Sequence, residues 1–558
     1  TDRSKNFIQA ANKKIITLTY EAAILCDQKN IKFIYIKDIY RKKDGKISEL
    51  FYRSYQAAKK IDKKITQDNN LLKNYSFFTN YFNFTKGNLF IQIYDEYITF
   101  LIKKFPTCKI NYYDHNNCDY FDFFTECIKS QRNKNNFFGI KPIYSNYKNN
   151  YFNSSDDGHI PTIKKIIIKL LNLNFFNQKS LLFYLVHTQY VKILKKYGII
   201  KKTNIIQYTE KITNIDFVQE MNLKYPFITE LKKKKPKAIF FQKYLNYLFP
   251  YIVNQVLNTH RNIDKIYKKK KIYGFVTQHN TLISNTIKQY LNSKNIKTLT
   301  LLHGGTLSHF KDAFFWPTLA NSNLETNNIS HFQNYSDFHK KISNVQNLKF
   351  KTVNNKNVIH SFPSEEFLDL KNNYDHNSKK KIAYVVQSSN NVLSGKLQGG
   401  NDSYKLYLAR NSFFKKIFSL KDFKIHVSHT GKKVNFLADK ATIELGLKNK
   451  KMFISKFNAI GILKKTNIAV FEQPSTTLIE ALFLNVPLII ILKNPLFKIN
   501  NYQEIILKKR VYFVDNLSQA IEIIKENCKI KKDSTFMKTF YPIKKGKNFY
   551  AVLNELFR

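Results

Sequence analysis

Residues 467–492 read NIAVFEQPSTTLIEALFLNVPLIIIL, and this stretch predicts a strand, a turn, a helix and a second strand. The apolar runs 467–471 and 487–492 have the length of buried strands, and a helical pattern begins at about residue 477. A strand, helix and strand in succession form a right-handed crossover in which the two strands are parallel. The stretch therefore predicts part of a parallel sheet covered by helices.

The same alternation continues on both sides of this stretch, from about residue 380 to residue 527. Further strands are predicted at 381–387, 424–428, 452–455 and 511–514, and helices at 402–420, 433–445, 500–508 and 517–527. An earlier α/β stretch has predicted strands at 272–277 and 297–302 around a helix at 281–293, and two more strands are predicted at 14–20 and 31–37. Such alternation predicts parallel sheets that are buried on both faces.

The length of 558 residues suits two domains, because single cores rarely grow beyond about 250–300 residues. Residues 321–379 are rich in Asn, Ser, His and Lys, which is typical of a linker. The predicted division is an N-terminal Rossmann-like domain with helical insertions at 1–345, a linker at 346–379, a C-terminal Rossmann-like domain at 380–527, and a tail at 528–558 that packs back on the first domain.

The net charge of +52 suggests an anionic partner, but the kind of basic residue argues against nucleic acid. Only eight of the 92 basic residues are arginines, and the lysines are spread along the whole chain. Lysine lacks the planar fork that reads bases and phosphates. We therefore expect no nucleic-acid partner, and the remaining options are solvated lysine-rich faces or attraction to an anionic membrane or acceptor.

The five cysteines have no CxxC pair or zinc-like spacing, which fits reduced thiols and predicts no metal site. No uncharged apolar run reaches the length of a membrane span. The sequence therefore predicts a cytoplasmic protein, and its lysine excess allows a peripheral contact with the inner face of the cytoplasmic membrane.

The turn Pro474-Ser475-Thr476-Thr477 comes between a predicted strand and a predicted helix. Free amides at a helix start and three hydroxyl groups would favour a bound diphosphate. The alternative is an ordinary capping box, in which Thr477 caps the helix and Glu480 reaches back to the cap amide.

Residues 471–491 resemble the donor-site segment of GT-B glycosyltransferases, particularly bacterial enzymes that make surface and capsular polysaccharides. The resemblance implies that Ser475, Thr476 and Thr477 hold the phosphates of a nucleotide sugar and that Glu480 contacts its ribose. Glu472 lies eight residues before Glu480, as in the E-x7-E spacing of retaining members. The glycines that usually follow the first glutamate are absent, so the spacing does not establish the stereochemistry.

A second constellation is His303-Gly304-Gly305, which follows a predicted strand. The two glycines permit a close approach of the backbone to a ligand. In the resembling enzymes, a His-Gly pair at a similar place lines the cleft between the domains, which implies that His303 contacts substrate or transfers a proton. The alternative is a turn with a structural histidine.

Two further segments carry candidate donor-binding side chains. His429 and Lys432 lie in the loop after the predicted strand 424–428, where a lysine would stabilise a departing diphosphate, although a solvated polar loop is the alternative. Arg410, one of the few arginines, lies on a predicted helix and is a candidate for pairing with a phosphate or with an acidic sugar.

The resemblance implies a GT-B fold, with two Rossmann-like domains that face each other across a cleft. It implies a glycosyltransferase that moves a sugar from a nucleotide-sugar donor to a surface glycan or a lipid-linked acceptor, with no metal or other cofactor. The alternatives are a polyol-phosphate transferase of the teichoic-acid type, which shares the fold, and a non-catalytic protein that binds polyanions or nucleic acid.

Overall fold

The computed structural model contains two six-stranded parallel sheets and one two-stranded parallel sheet. It describes residues 15–17, 20–40, 46–67, 179–210, 215–222, 236–278, 281–302, 331–338, 358–365, 381–385, 403–419, 424–428, 452–454, 459–472, 476–484, 486–491, 501–526, 529–543 and 548–558, with single positions between 73 and 105. The α/β class and the parallel sheets predicted from the sequence are confirmed. The cleft between two domains stays a prediction.

The N-terminal unit is a small crossover. Strand β1 (Ile15–Thr17) pairs in parallel with β2 (Phe33–Tyr35), and helix α1 (Tyr20–Gln28) connects them. Helices α2 (Ile36–Ile39) and α3 (Lys46–Gln67) follow. The rings of Phe33 and Tyr35 lie 5.5 Å and 5.4 Å from the ring of Tyr404, a residue of the C-terminal half, so this unit packs against a distant part of the chain.

The first six-stranded sheet has the order β4-β3-β5-β6-β7-β8. Its strands are β3 (Ser180–Tyr184), β4 (Asn204–Gln207), β5 (Ile272–Thr277), β6 (Lys297–Thr300), β7 (His331–Asn334) and β8 (Val358–Ser361). The associated helices are α4 (Thr188–Ile200), α5 (Phe217–Glu220), α6 (Pro236–Lys269) and α7 (Leu282–Ser293). Strands β5 and β6 and helix α7 occupy the predicted positions.

Strands β7 and β8 lie in the interval 321–379 that the composition predicts as a linker, and β8 lies within the predicted linker 346–379 itself. Both strands belong to the first sheet, so part of this interval is structural. Their polar sequences, HFQN and VIHS, give no apolar run. Polar strands are nevertheless stable in a sheet when their side chains find hydrogen-bond partners, as His331 Nδ1 does with His360 Nε2 at 3.0 Å.

The second six-stranded sheet has the order β11-β10-β9-β12-β13-β14. Its strands are β9 (Lys381–Val385), β10 (Lys424–Ser428), β11 (Met452–Ile454), β12 (Ile468–Phe471), β13 (Leu488–Ile491) and β14 (Tyr512–Val514). Its helices are α8 (Ser403–Phe418), α9 (Ala459–Leu463), α10 (Thr476–Leu482), α11 (Asn501–Lys508) and α12 (Leu517–Lys525). These positions confirm the predicted elements, except that the helix expected near 433–445 lies outside the described residues.

The second sheet is covered on both faces. Helices α8 and α12 share one apolar core with Ile468 and Val470, while α9, α10 and α11 share the other with Ala469 and Phe471. The alternation along β12 follows the two-residue period of a strand. The continuous apolar sequence of β12 is therefore explained by burial on both sides.

The C-terminal segment contacts both large sheets. Helix α13 (Thr535–Phe540) packs in the core of the second sheet, and α14 (Phe549–Leu556) packs against α4 in the core of the first. The hydroxyl of Tyr197 donates a hydrogen bond to the main-chain oxygen of Phe557 at 3.0 Å. Throughout the described ranges, no helix has the length and hydropathy that a membrane span requires.

Candidate functional site

The topology of the second sheet defines a switch point between β9 and β12. These strands are neighbours, with Tyr384 opposite Val470 and Val385 opposite Phe471. The chain leaves β9 toward β10 and β11 on one side of the sheet, and it leaves β12 toward β13 and β14 on the other. Open parallel sheets bind ligands in the crevice at the carboxyl ends of two such strands.

The segment with the hydroxyl turn leaves the sheet at this switch point. Strand β12 ends at Phe471, and helix α10 begins at Thr476. Thr477 lies one residue inside the helix and Glu480 lies one turn further, and both side chains are half-buried. The capping box between them stays the alternative prediction. Helix α10 is only seven residues long, so its dipole contributes little, and the end of β12 at the switch point is the stronger feature.

Glu472 and Arg410 form an ion pair in the interior of the second sheet. Both side chains have 0% exposure, and Arg410 donates to the carboxylate through Nε and, at 2.6 Å, through Nη2. The hydroxyl of Tyr384 donates to the same carboxylate at 2.7 Å. Burial and the neighbouring carboxylate raise the pKa of Tyr384 well above its usual value. Each of the two charges is directed onto the other, and the donor contacts expected of Arg410 and Glu472 stay predictions.

The carboxyl edge of the first sheet is held by hydrogen bonds around Leu302, the residue before His303. The main-chain nitrogen of Leu302 donates to Gln333 Oε1 at 2.9 Å, and the hydroxyl of Tyr335 donates to the Leu302 oxygen at 3.1 Å. The entry into the His303-Gly304-Gly305 segment is therefore fixed by residues from β7 and the turn after it.

A lysine lies in the interior beside the same edge. Lys288, on α7, is 1% exposed, and its Nζ donates to Thr300 Oγ1 at 3.2 Å. Burial lowers the pKa of this ammonium group to about 7, because the charged form loses its hydration. Thr300 ends β6, so Lys288 lies close to the strand that leads to His303.

Six of the sequence-predicted site residues lie outside the described residues, namely His303, Gly304, Gly305, His429, Lys432 and Ser475. The side chain of Thr476 is also outside them, although its backbone begins α10. His429 directly follows the last residue of β10, the strand that neighbours β9. Their predicted contacts stay predictions.

Tyr384, Lys288 and Gln333 were not predicted as site residues from the sequence. Tyr384 is one of 35 tyrosines, and Lys288 is one of many lysines, so neither residue type attracts attention. The signal that could have identified Tyr384 and Lys288 is their position in the predicted strands and helices. Tyr384 lies at the end of a predicted strand of the second sheet, and Lys288 lies on the predicted helix that precedes the His303 segment.

A shallow recess with a cavity volume of about 10 Å³ lies at the carboxyl ends of β7 and β8. Its lining includes Tyr335, Asp337, Ser361 and Pro542. Pockets for nucleotide-sized ligands usually have about 300–1,000 Å³, so this recess is too small. Sheet topology therefore locates the candidate site better than the recess does.

Comparisons with known proteins give structural likeness without sequence likeness. No protein-family model matches the chain, and no curated protein matches it in sequence. One similar solved structure is UDP-GlcNAc 2-epimerase from Methanocaldococcus jannaschii in complex with UDP-GlcNAc and UDP, with 14% identity, a TM-score of 0.39, and coverage of 68% of this chain and 99% of that chain.

Another is the glycosyltransferase SnogD from Streptomyces nogalater, with 9% identity, a TM-score of 0.31, and coverage of 63% of this chain and 92% of that chain. A third is MnaA from S. aureus in complex with UDP, with 11% identity, a TM-score of 0.38, and coverage of 68% and 95%.

Proposed function

We propose that this chain is a nucleotide-sugar-dependent glycosyltransferase whose donor binds at the switch point between β9 and β12. The observation that carries the proposal is the coincidence of two independent features. The hydroxyl turn was singled out by sequence, and β12, the strand that precedes this turn in the chain, is one of the two strands between which the order of this sheet reverses.

The donor's diphosphate would be bound by the turn after β12. Ser475, Thr476 and Thr477 supply hydroxyl donors, and Glu480, one turn into α10, would accept a hydrogen bond from the ribose. The loop after β10 begins beside the end of β9, so His429 and Lys432 would approach the diphosphate from the neighbouring strand. Stabilisation of the departing phosphate by these donors would lower the barrier to sugar transfer.

The acceptor would bind at the carboxyl edge of the first sheet. His303, with Gly304 and Gly305, follows β6 there, and the backbone before it is held by Gln333. A histidine at this place in the chain would be suited to accept the proton of an attacking hydroxyl, because an imidazole titrates near neutral pH. Catalysis would further depend on orientation of donor and acceptor.

The acceptor we propose is a surface glycan or a lipid-linked precursor. The support is the net charge of +52, which would attract a polyanionic glycan or bring the enzyme to an anionic membrane from the cytoplasmic side. The scarcity of arginine argues against a nucleic-acid acceptor.

Calorimetric titration with UDP and CDP tests the donor site. We expect one of the two nucleotides to bind and Glu480→Ala to weaken it about tenfold, a change equivalent to about 1.4 kcal/mol. Glu504→Ala is the matched control, because Glu504 is a half-buried glutamate of the same domain on α11, where it pairs with Lys508 at 2.7 Å. Equal affinities of wild type and Glu480→Ala would contradict the assignment, and salt-dependent binding to DNA or RNA without nucleotide binding would support a polyanion-binding protein.

Turnover assays separate the enzyme classes. Release of the nucleoside diphosphate from a nucleotide sugar supports a glycosyltransferase, and release of CMP from a CDP-polyol supports a polyol-phosphate transferase. Interconversion of the donor sugar without release of nucleotide would support an epimerase. Loss of turnover in a variant that combines Ser475→Ala with Thr476→Ala is the expected result, and unchanged turnover would contradict the phosphate site.

A further inference from the structure

A buried polar cluster joins three elements of the second sheet at the switch point. Tyr384 comes from β9, Arg410 from α8, and Glu472 from the first position after β12. The guanidinium group contacts both oxygens of the carboxylate, and the hydroxyl of Tyr384 contacts one of them. We call these three residues the anchor cluster.

The anchor cluster lies on the face of the sheet opposite to α10. Tyr384 packs against Phe413 and Phe414 of α8, with ring centroids 5.2 Å and 4.9 Å apart, in the same core as Val470. Helix α10 packs in the other core through Leu478. Glu472 and Leu478 therefore lie on opposite faces of the sheet, and the hydroxyl turn comes between them in the sequence.

Stability alone is a weak reason for this arrangement. Desolvation of two charges offsets most of their attraction, and apolar residues of similar volume often replace a buried ion pair without loss of stability. A bidentate pair does, however, fix relative position, because both hydrogen bonds must keep their geometry. Here the fixed point is the backbone at residue 472, where the turn begins.

We propose that Tyr384, Arg410 and Glu472 are positioning residues that hold the start of the turn after β12 in the geometry that receives a diphosphate. None of the three contacts the ligand itself. This inference rests on the proposed function for its biological meaning, but the positioning can be measured without any ligand.

The informative variant replaces the whole cluster by apolar side chains. Tyr384→Phe, Arg410→Met and Glu472→Leu together remove every polar group of the cluster, so that no buried charge is left unpaired. Glu472→Gln alone would leave the guanidinium group of Arg410 uncompensated and risks unfolding. Circular dichroism and a cooperative thermal transition establish that the apolar variant is folded.

The matched control is Arg510→Met. Arg510 is also buried in this domain, and its Nη2 donates to the main-chain oxygens of Leu484 and Val486 at 2.8 Å and 3.1 Å. These residues lie between the end of α10 and the start of β13, so Arg510 contacts the chain after α10 and not the anchor cluster at its start. Arg510→Met therefore reports on the loss of a buried arginine without loss of the anchor.

Amide hydrogen exchange of the ligand-free proteins tests the positioning. We expect the peptide that covers residues 471–482 to exchange about tenfold faster in the apolar variant than in wild type, and to change less than about twofold in Arg510→Met. Unchanged exchange of this peptide in the apolar variant, or equal acceleration in the control, would overturn the proposal.

Titration with UDP or CDP then separates the positioning of the turn from the proposed binding of a nucleotide there. Positioning of the donor site predicts that the nucleotide bound by wild type binds about tenfold more weakly to the apolar variant and normally to Arg510→Met. Tight binding to an apolar variant with a loosened turn would overturn the link to the donor site. If wild type binds neither nucleotide while the apolar variant shows faster exchange, the proposed function fails and the positioning stands.

Discussion

Among the described residues, the buried cationic side chains of Arg410, Arg510 and Lys288 have different environments. Arg410 pairs with Glu472, Arg510 donates to main-chain oxygens, and Lys288 donates to Thr300. Burial lowers the pKa of Arg510 to about 10 and that of Lys288 to about 7, because the charged form of each side chain loses its hydration. In the ion pair, the guanidinium group of Arg410 is instead held against the carboxylate of Glu472.

Tyr384→Phe tests the strength of the hydrogen bond to the Glu472 carboxylate. We expect a loss of about 1.5–3 kcal/mol in the free energy of unfolding, since the acceptor is charged. The matched change is Tyr197→Phe, which removes a hydrogen bond from a buried tyrosine to the neutral oxygen of Phe557 and should cost about 1 kcal/mol. Urea unfolding measures both values, and an equal or smaller loss for Tyr384→Phe would contradict the charged acceptor.

Lys288→Met tests the effect of burial on the ammonium group of Lys288. The folded-state pKa of Lys288 is lowered to about 7 from its ordinary value of 10.5, so the unfolded chain binds more protons between these values and stability rises with pH there. We expect Lys288→Met to gain about 2 kcal/mol over wild type at pH 6.5 and much less at about pH 9.5.

Urea unfolding at the two pH values measures this difference. Lys525→Met, at an exposed lysine of α12, is the control and should show no pH-dependent gain. A gain for Lys288→Met that is the same at both pH values would show that its ammonium group is not destabilised by burial.

Arg410 and Glu472 were each identified from the sequence, but their contact with each other was not. Arg410 was singled out because arginine is scarce, and Glu472 because of its spacing to Glu480. Their pairing with each other was not predictable from the sequence, in which they lie 62 residues apart. It depends on the face of the sheet toward which Glu472 points and on the rotation of α8 about its axis. The internal contact between these two residues was missed for that reason.

Phe557, the residue that follows helix α14, packs closely onto strand β5 of the first sheet. A Cβ atom at Gly274, in β5, would overlap the ring of Phe557 and approach Leu181 Cδ1 to 2.8 Å. Glycine is therefore required here by the close approach of the terminal segment, although the strand itself would favour a larger residue.

Gly274→Ala is expected to lower the free energy of unfolding by about 1–3 kcal/mol through overpacking. Thermal or urea unfolding measures this loss. Shortening the opposing side chain with Phe557→Leu in the same chain should recover part of the stability. A double variant that is less stable than the sum of the two single changes would contradict a clash at this contact.

Elements with strong apolar or helical patterns were predicted well, and polar ones were missed. Strands β5, β9, β10, β12 and β13 were all identified from apolar runs. Strand β7 was missed because its sequence, HFQN, satisfies its polar groups through specific partners such as the bond between Gln333 and Leu302. Burial with a neighbouring imidazole lowers the pKa of His331 in β7 to about 4, so this histidine behaves as a neutral interior residue.

At the scale of the whole molecule, two sheets of similar design carry different parts of the proposed site. Numbered within each sheet, the second has the strand order 3-2-1-4-5-6 and the first has the order 2-1-3-4-5-6, and each reverses direction once. The sequence predicted parallel sheets because alternation of strands and helices allows little else. It did not predict the strand order, which depends on the side to which each crossover turns.

The proposed function requires that a nucleotide binds at the carboxyl ends of β9 and β12. Hydrogen exchange of the wild-type protein with and without UDP or CDP tests this requirement, because protection of amides locates the ligand along the chain. We predict that the nucleotide slows exchange in the peptides that cover residues 471–482 and the residues that follow Val385. Protection confined to the first sheet, or no protection with either nucleotide at millimolar concentration, would contradict the claim.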